Sequence, residues 1–489
     1  MTTRALRFVP ALAVAAMAFS AAFAPPARAQ AQKASELRFP PLPDVPVPAP
    51  QRVVLDNGLT VLLLEDRELP LVEATALVRT GAIAEPGDKA GLAELTGRVL
   101  RSGGAGRMSG DELDDFLEDR AATIETSISE DTGTARLSAL KGNFPDVFRA
   151  FTDILRRPAF DAAKIELARN RMVAEVARQN DDPQEILDRE FRKLVYGKDS
   201  PYARTPSFAS LAAIRRADLV AWHGKYFQPD RIVLGIVGDI DAAATLALIK
   251  ETLGDWPRGP KLQESAPPAP REVRPGVYTI DLDALPQSSI AMGYLGIRRD
   301  DPDLFPVEVL NQVLGGSFAS RLFANVRSKK ALGYVVYGGV FSDWGHPDVT
   351  QLVLTTKGET TGAGIAALLD EAKDIVAHPP TDREVAEAKQ AILSSFVFTR
   401  DSLRKVVLRQ LLPLEYWGYP ADWFERYRAG VEAVTPEQVR KAAERLIHPE
   451  RFAILVVGPA GRRERPLTDF GPVTPVDISI PGAPRAPKP

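Results

Sequence analysis

The stretch LVAWHGKYFQPDRIVLGIVGD, residues 219–239, aligns without a gap with VRKAAERLIHPERFAILVVGP, residues 439–459. Each stretch has the pattern of a helix, a proline turn and a short apolar run typical of a buried strand. Identical residues include Pro229 with Pro449, Arg231 with Arg451, and Gly238 with Gly458. The same structural unit is therefore predicted twice in the chain.

Two further pairs of segments repeat in the same order. ELPLVEATALVRTGA at 68–82 aligns with ALPQSSIAMGYLGIR at 284–298, and AELTGRVLRSGG at 93–104 aligns with VEVLNQVLGGSF at 307–318. One weak repeat can arise by chance, whereas three in a single order indicate a duplicated domain.

The repeated blocks predict an α+β fold. RVVLDNGLTVLLLED at 52–66 alternates like a strand and contains an Asn-Gly hairpin signal. Helical patterns follow at 162–179 and 381–412. Strands followed by helices predict two homologous domains, each an antiparallel sheet packed with helices.

Proline-rich stretches mark the boundaries of these domains, because proline prevents helix and favours extended tethers. The last of them, PVDISIPGAPRAPKP, predicts an irregular tail. The predicted division is a signal peptide at 1–29, a Pro-rich tether at 30–50, an N-terminal domain at 51–255, a linker at 256–276, a C-terminal domain at 277–470 and a Pro-rich tail at 471–489.

The composition limits the possible classes of protein. The chain has 489 residues, of which 45% are apolar and 26% charged, as in soluble globular proteins. The net charge is −3 with no basic tract, so we expect no nucleic-acid partner. There is no cysteine, which excludes disulfides and thiolate metal sites.

The N-terminus resembles a secretory signal. Arg4 and Arg7 precede the apolar run FVPALAVAAMAFSAAFA, and ARA at 27–29 offers a cleavage site before Gln30. The run is short and alanine-rich for a membrane span. We therefore expect a cleaved signal peptide and a periplasmic protein without a membrane span, with an uncleaved anchor as the alternative.

Several motifs carry a resemblance to a known family. LDNGLTVLLLED, a strand ending in TGA, GLAELTGRVL, NDDPQE and YFQPDRIVLGIVGDID resemble the pitrilysin-type metallopeptidases, or inverzincins, a group that includes the mitochondrial processing peptidase. The resemblance covers nearly all of residues 51–470. The two-domain duplication of that family agrees with the repeat read from the residues alone.

The resemblance implies a zinc motif that this chain has lost. The family motif His-x-x-Glu-His places two imidazoles on one helix face and a general base between them. The matching positions here are Glu94, Gly97 and Arg98, and Glu175 stands at the downstream carboxylate ligand. Glycine cannot act as a base, and an arginine remains charged where the cation would bind.

These degenerate positions predict no metal in this chain. Two carboxylates beside an arginine do not form a catalytic zinc site. The four histidines, at 223, 346, 378 and 448, are not spaced as a pair on one helix. We expect Glu94, Arg98 and Glu175 to form a surface or interhelix ion pair.

The second half keeps a segment that the resemblance links to substrate. SRLFANVRSKKALGYVVYGG at 320–339 places Arg327 and Tyr334 where the family has an arginine and a tyrosine that contact substrate and stabilise the oxyanion. Gly315 and Gly316 match its glycine-containing loop, which lets a backbone approach closely. From the residues alone, RSKK also fits a solvated turn, and Tyr334 fits ordinary strand packing.

These features together predict a subunit of a two-chain peptidase. The chain would supply Arg327 and Tyr334, and a zinc-bearing relative would supply the metal, in a heterodimer acting on peptides. The alternatives are a non-proteolytic structural relative and a peptide-binding, chaperone-like protein. A solitary active metallopeptidase is contradicted by Gly97 and Arg98.

Overall fold

The computed structural model describes residues 49–262, 273–396, 398, 402–480 and 482. Two six-stranded sheets organise these residues. The predicted signal peptide, nearly all of the tether and the middle of the predicted linker lie outside the described residues. Within them, no helix is both long enough and apolar enough to cross a bilayer.

The first half builds one sheet in the order β1-β2-β6-β3-β5-β4. Its strands are β1 (Gln51–Val54), β2 (Thr60–Glu65), β3 (Leu71–Val78), β4 (Thr123–Ile128), β5 (Gly133–Leu140) and β6 (Ile232–Gly238). Its helices are α1 (Leu92–Ser102), α2 (Gly110–Glu118), α3 (Phe144–Arg156), α4 (Ala162–Arg178), α5 (Pro183–Tyr196), α6 (Phe208–Ala213), α7 (Arg216–Tyr226) and α8 (Ala242–Leu253). The predicted hairpin joins β1 to β2, with Gly58 at φ +89°.

The second half builds the other sheet in the order β10-β12-β8-β13-β7-β14. Its strands, with the small β9–β11 pair, are β7 (Gly276–Asp281), β8 (Gln287–Leu295), β9 (Ile297–Arg298), β10 (Gly333–Val340), β11 (Ser342–Asp343), β12 (Val349–Lys357), β13 (Ala453–Gly458) and β14 (Val473–Pro475). Its helices are α9 (Leu304–Leu314), α10 (Thr361–Ala377), α11 (Asp382–Phe396), α12 (Leu403–Lys405), α13 (Leu412–Trp417), α14 (Trp423–Ala433) and α15 (Pro436–Leu446), with π-helical turns at Phe323–Lys329 and Val406–Leu411.

The duplication and the α+β class are confirmed. Helix α7, a turn at Pro229–Arg231 and β6 correspond to α15, a turn at Pro449–Arg451 and β13. The sheets, however, are not wholly antiparallel, because β2 pairs with β6, and β7 with β13, in parallel. A strand inserted between two antiparallel neighbours must run parallel to one of them.

Each sheet buries one face against helices of its own half. In the first half, Leu95 of α1, Phe148 of α3 and Ile236 of β6 belong to one core. In the second half, Leu310 of α9 and Leu354 of β12 belong to another. Fully burying each such side chain contributes about 1.5–3 kcal/mol.

The other face of each sheet is covered by a helix from the opposite half. Ile186 and Phe191 of α5 pack with Val353 of the second sheet. Conversely, Leu412 of α13 packs with Val237 of the first sheet. This reciprocal packing makes the two halves depend on each other for their apolar burial.

Two details differ from the sequence-based expectations. The helix expected over 381–412 is interrupted: α11 ends at Phe396, and a new helix begins after Ser402, whose hydroxyl accepts from Lys405 N. The expected irregular tail contains β14, and Val476 N donates to Thr279 O at 2.8 Å. Pro475 fits there because β14 lies at the sheet edge, where a missing N–H is tolerated.

Candidate functional site

Helix α1 carries three of the four degenerate zinc-motif positions. Its first turn is capped by Glu85, whose carboxylate accepts from Gly91 N at 2.8 Å and Ala93 N at 2.7 Å. Burial raises the pKa of Glu85 to about 7, against the opposing effect of these two amides. The cap fixes the start of the helix and therefore the direction of the Glu94 and Arg98 side chains.

The Arg98 guanidinium is bound by two carboxylates. Its Nη2 lies 2.5 Å from Glu94 Oε1. It also meets Glu175 of α4 through Nη1–Oε1 at 2.8 Å and Nη2–Oε2 at 2.7 Å. The Glu175 hydrogen bonds, outweighing burial and joined by Glu94, raise the pKa of Arg98. The expected interhelix ion pair is present.

Gly97 lies directly against strand β4. A Cβ at this position would stand 2.4 Å from Ile128 N and 2.8 Å from the Ser127 carbonyl carbon. Thr126 Oγ1 also donates to Gly97 O at 2.8 Å. The helix and strand are thus too close for any side chain at position 97, let alone a glutamate holding a water.

The residues around α1 do not fit a zinc ion. A permanent cation, Arg98, occupies the space between Glu94 and Glu175, and its donors use Oε1 of Glu94 and both oxygens of Glu175. Throughout the described part of the chain, no group of three or more histidine, cysteine or acidic side chains is arranged to hold a metal.

Arg327 and Tyr334 are brought together in the second half. The Arg327 guanidinium carbon lies 4.4 Å from the ring centroid of Tyr334 and 4.4 Å from that of Phe323. Tyr334 is 76% exposed. Within the described residues, Arg327 makes no ion pair, so stacking on two rings holds the guanidinium while its in-plane donors remain available.

An unusual backbone joins these two residues. Arg327 lies in the π-helical turn Phe323–Lys329, and Ala331 has φ +51°, a left-handed conformation that alanine rarely adopts. Asn325 anchors the turn through a 2.8 Å bond to Glu371. π-helical turns and strained residues occur frequently at functional sites.

The two glycines of the predicted loop pack closely, but not equally so. A Cβ at Gly315 would lie 2.5 Å from both the N and the O of Gly338, so helix α9 ends against strand β10. A Cβ at Gly316 would meet Gln312 Oε1 at 2.9 Å. Only at Gly315 does the close approach of helix α9 to the backbone of strand β10 require glycine.

The structure keeps the two predicted groups apart. Among the contacts of the described residues, none joins Arg327 or Tyr334 to Glu94, Arg98 or Glu175. Glu94 and Arg98 border a cleft of about 520 Å³. Arg327 and Tyr334 do not line that cleft.

Sequence reasoning missed a buried histidine between the two halves. His346 is 8% exposed and stacks on Tyr202 at 4.3 Å. Its Nε2 lies 3.3 Å from Glu130 and its Nδ1 3.3 Å from Asp343. Burial disfavours its charge, but both carboxylates outweigh that and raise the pKa to about 9. Its acidic partner from the first half is too distant in sequence to be found by pattern.

Comparison with known proteins gives two matching family profiles. The family described as Insulinase (Peptidase family M16) matches residues 60–201, and the one described as Peptidase M16 inactive domain matches residues 213–392. Between them they span parts of both sheets.

Individual relatives agree with these profiles. An uncharacterized zinc protease of Mycobacterium bovis is 25% identical over 430 residues, covering 85% of this chain and 94% of the relative. The non-peptidase homolog YmxG of Helicobacter pylori is 24% identical over 342 residues, covering 68% and 77%. The crystal structure of a peptidase M16 inactive domain from Pseudomonas fluorescens superposes with a TM-score of 0.76 at 26% identity, covering 84% and 98%.

Proposed function

Since this chain belongs to the peptidase M16 family, we propose that it is the zinc-less subunit of a periplasmic heteromeric metallopeptidase. It would bind peptide substrate and stabilise the transition state, while a zinc-bearing relative supplies the metal. The observation that carries this proposal is the contrast between its halves: Arg98 is held by two carboxylates, whereas Arg327 has no carboxylate partner among the described residues.

The roles proposed for the second half follow from donor chemistry. Arg327, held between two rings, offers fixed N–H donors to a peptide carbonyl. The exposed Tyr334 hydroxyl can donate to a negative charge developing on that oxygen. Preorganised donors of this kind stabilise a transition state more than a ground state.

Periplasmic location and partnership are part of the same proposal. The basic and apolar segment before Gln30 supports export. There is no space for a side chain at Gly97, and Glu94 and Arg98 stand where the family has histidine ligands. Both features support the dependence of this chain on another chain for the metal.

Reconstitution tests the proposal. The mature chain is co-expressed with the family members of its own genome that retain His-x-x-Glu-His, purified through a tag on this chain, and assayed on unfolded fluorogenic peptides. We expect one such relative to co-purify and the complex to cleave, with each chain alone inactive. A complex that cleaves nothing would leave the structural or chaperone-like alternatives.

A further inference from the structure

The end of β10 and the turn before it form an exposed aromatic surface. Phe318 is 81% exposed and stacks edge-on against Phe323 at 5.0 Å. Phe323 then stacks on Arg327, and Arg327 on Tyr334. Val335, 39% exposed, follows on the same strand. Contiguous apolar groups left in solvent mark sites of interaction.

This surface is also cationic, and no carboxylate of the described residues pairs with its charges. Arg327, Lys329 and Lys330 form no ion pair within the described residues. Lys329 Nζ bonds only to the neutral Asn325 Oδ1 at 2.8 Å. By contrast, the arginine of the first half, Arg98, has two carboxylate partners. The charge of this surface is therefore complementary to an acidic ligand.

The backbone beside the aromatic side chains is open at one end only. Strand β10 is the edge of its sheet. Asn311 closes its far end, because its side chain accepts from Val340 N and donates to Val340 O, both at 2.8 Å. Within the described residues no similar bond closes the end at 334–336. An extended peptide can add to an open edge through main-chain hydrogen bonds.

We propose that this aromatic and cationic surface binds extended acidic peptides. It consists of Phe318, Phe323, Arg327, Lys329, Lys330 and Tyr334. Acidic side chains of the peptide meet the three cations, and its apolar side chains meet the exposed rings. The inference rests on the proposed function in one respect: it specifies which peptides the Arg327–Tyr334 pair receives.

Direct binding tests it without any partner chain. Fluorescence anisotropy is measured with the mature chain and a fluorescein-labelled decapeptide of alternating Asp and Leu, and with a matched Asn-Leu peptide. We expect the Asp-Leu peptide to bind about fivefold more tightly, and this preference to fall as salt is raised.

Matched variants locate the binding. Lys329→Gln with Lys330→Gln should lower the preference, because Arg327 is then the remaining cation, while leaving binding of the Asn-Leu peptide unchanged. Phe318→Ser should weaken both peptides. Lys250→Gln with Lys261→Gln removes the same charge from exposed positions of the first half and should change neither.

The inference is overturned by equal binding of the two peptides, or by a preference that the Lys329/Lys330 change does not lower. If the Lys329/Lys330 double variant no longer binds a zinc-bearing relative but still prefers the acidic peptide, the surface is a subunit interface. That result would also overturn the inference. If the acidic preference holds but no complex cleaves peptides, the proposed function fails and this inference stands. If the complex cleaves but the two peptides bind equally, the proposed function stands and this inference fails.

Discussion

Arg98 and Glu175 form a parallel, two-bonded ion pair that joins α1 to α4, with Nη1–Oε1 at 2.8 Å and Nη2–Oε2 at 2.7 Å. In this geometry two N–H groups on one side of the guanidinium donate to both oxygens of the carboxylate. The pair uses the oxygens that a metal would need, and it places a permanent charge beside Glu94.

The first prediction concerns zinc. Purified without chelators, the isolated chain should contain only substoichiometric zinc by elemental analysis, because Arg98 opposes a cation between Glu94 and Glu175. Dialysis against added zinc should not change this. One tightly held zinc per chain would contradict the assignment of these residues as an ion-pair network.

The second prediction concerns the helix–strand approach at Gly97. Gly97→Ala should lower the free energy of unfolding by about 1–3 kcal/mol, since its Cβ would collide with the backbone of β4. The matched control is Gly224→Ala in α7, where nothing lies within 4 Å of the new Cβ. That change should stabilise the chain by about 0.5–1 kcal/mol. Urea unfolding of both variants measures these changes in the free energy of unfolding. Equal changes in the two variants would argue against the close contact at Gly97.

The third prediction concerns pH. His346 has a folded pKa of about 9 against 6.5 unfolded, so its contribution to stability is complete below 6.5 and is lost as the pH rises through 9. The Tm advantage of wild type over His346→Asn should therefore shrink between pH 6.5 and 9. Leu167→Gln, at an exposed position of α4, adds and removes no titrating group; it is the control and should show no such trend. A constant difference across this window would rule out the proposed protonation.

The fourth prediction concerns turnover by the reconstituted complex. Arg327→Ala and Tyr334→Phe should each lower kcat/KM by roughly a hundredfold, as loss of one oxyanion donor does. Both residues are solvent-accessible, so the variants should fold and assemble normally. Arg383→Ala, at an exposed arginine of α11, serves as control. Wild-type rates in the double variant would reduce the pair to ordinary surface residues.

The fifth prediction concerns export. Native material from the periplasmic fraction should begin near Gln30, because ARA at 27–29 follows an apolar run of signal-peptide type. N-terminal sequencing checks this. Retention of residues 1–29 in membrane-bound material would favour the uncleaved anchor instead.

The sequence by itself determined the local structure of the repeated units and the order in which they occur. The helix, proline turn and strand at 216–238 and again at 436–458 follow from periodicity and turn residues that are neighbours in the chain. The loss of the zinc motif at Gly97 and Arg98 could also be predicted from the sequence. The absence of a base and the presence of a permanent charge are properties of single residues.

Only the tertiary structure decided how distant residues meet. Arg98 finds a partner 77 positions away, and His346 sits between a carboxylate of each half. The covering of each sheet by a helix of the other half, and the open end of β10 beside Arg327, likewise arise from packing. Periodicity reports which face of an element is apolar, but the element that covers that face is chosen by the burial available across the whole fold.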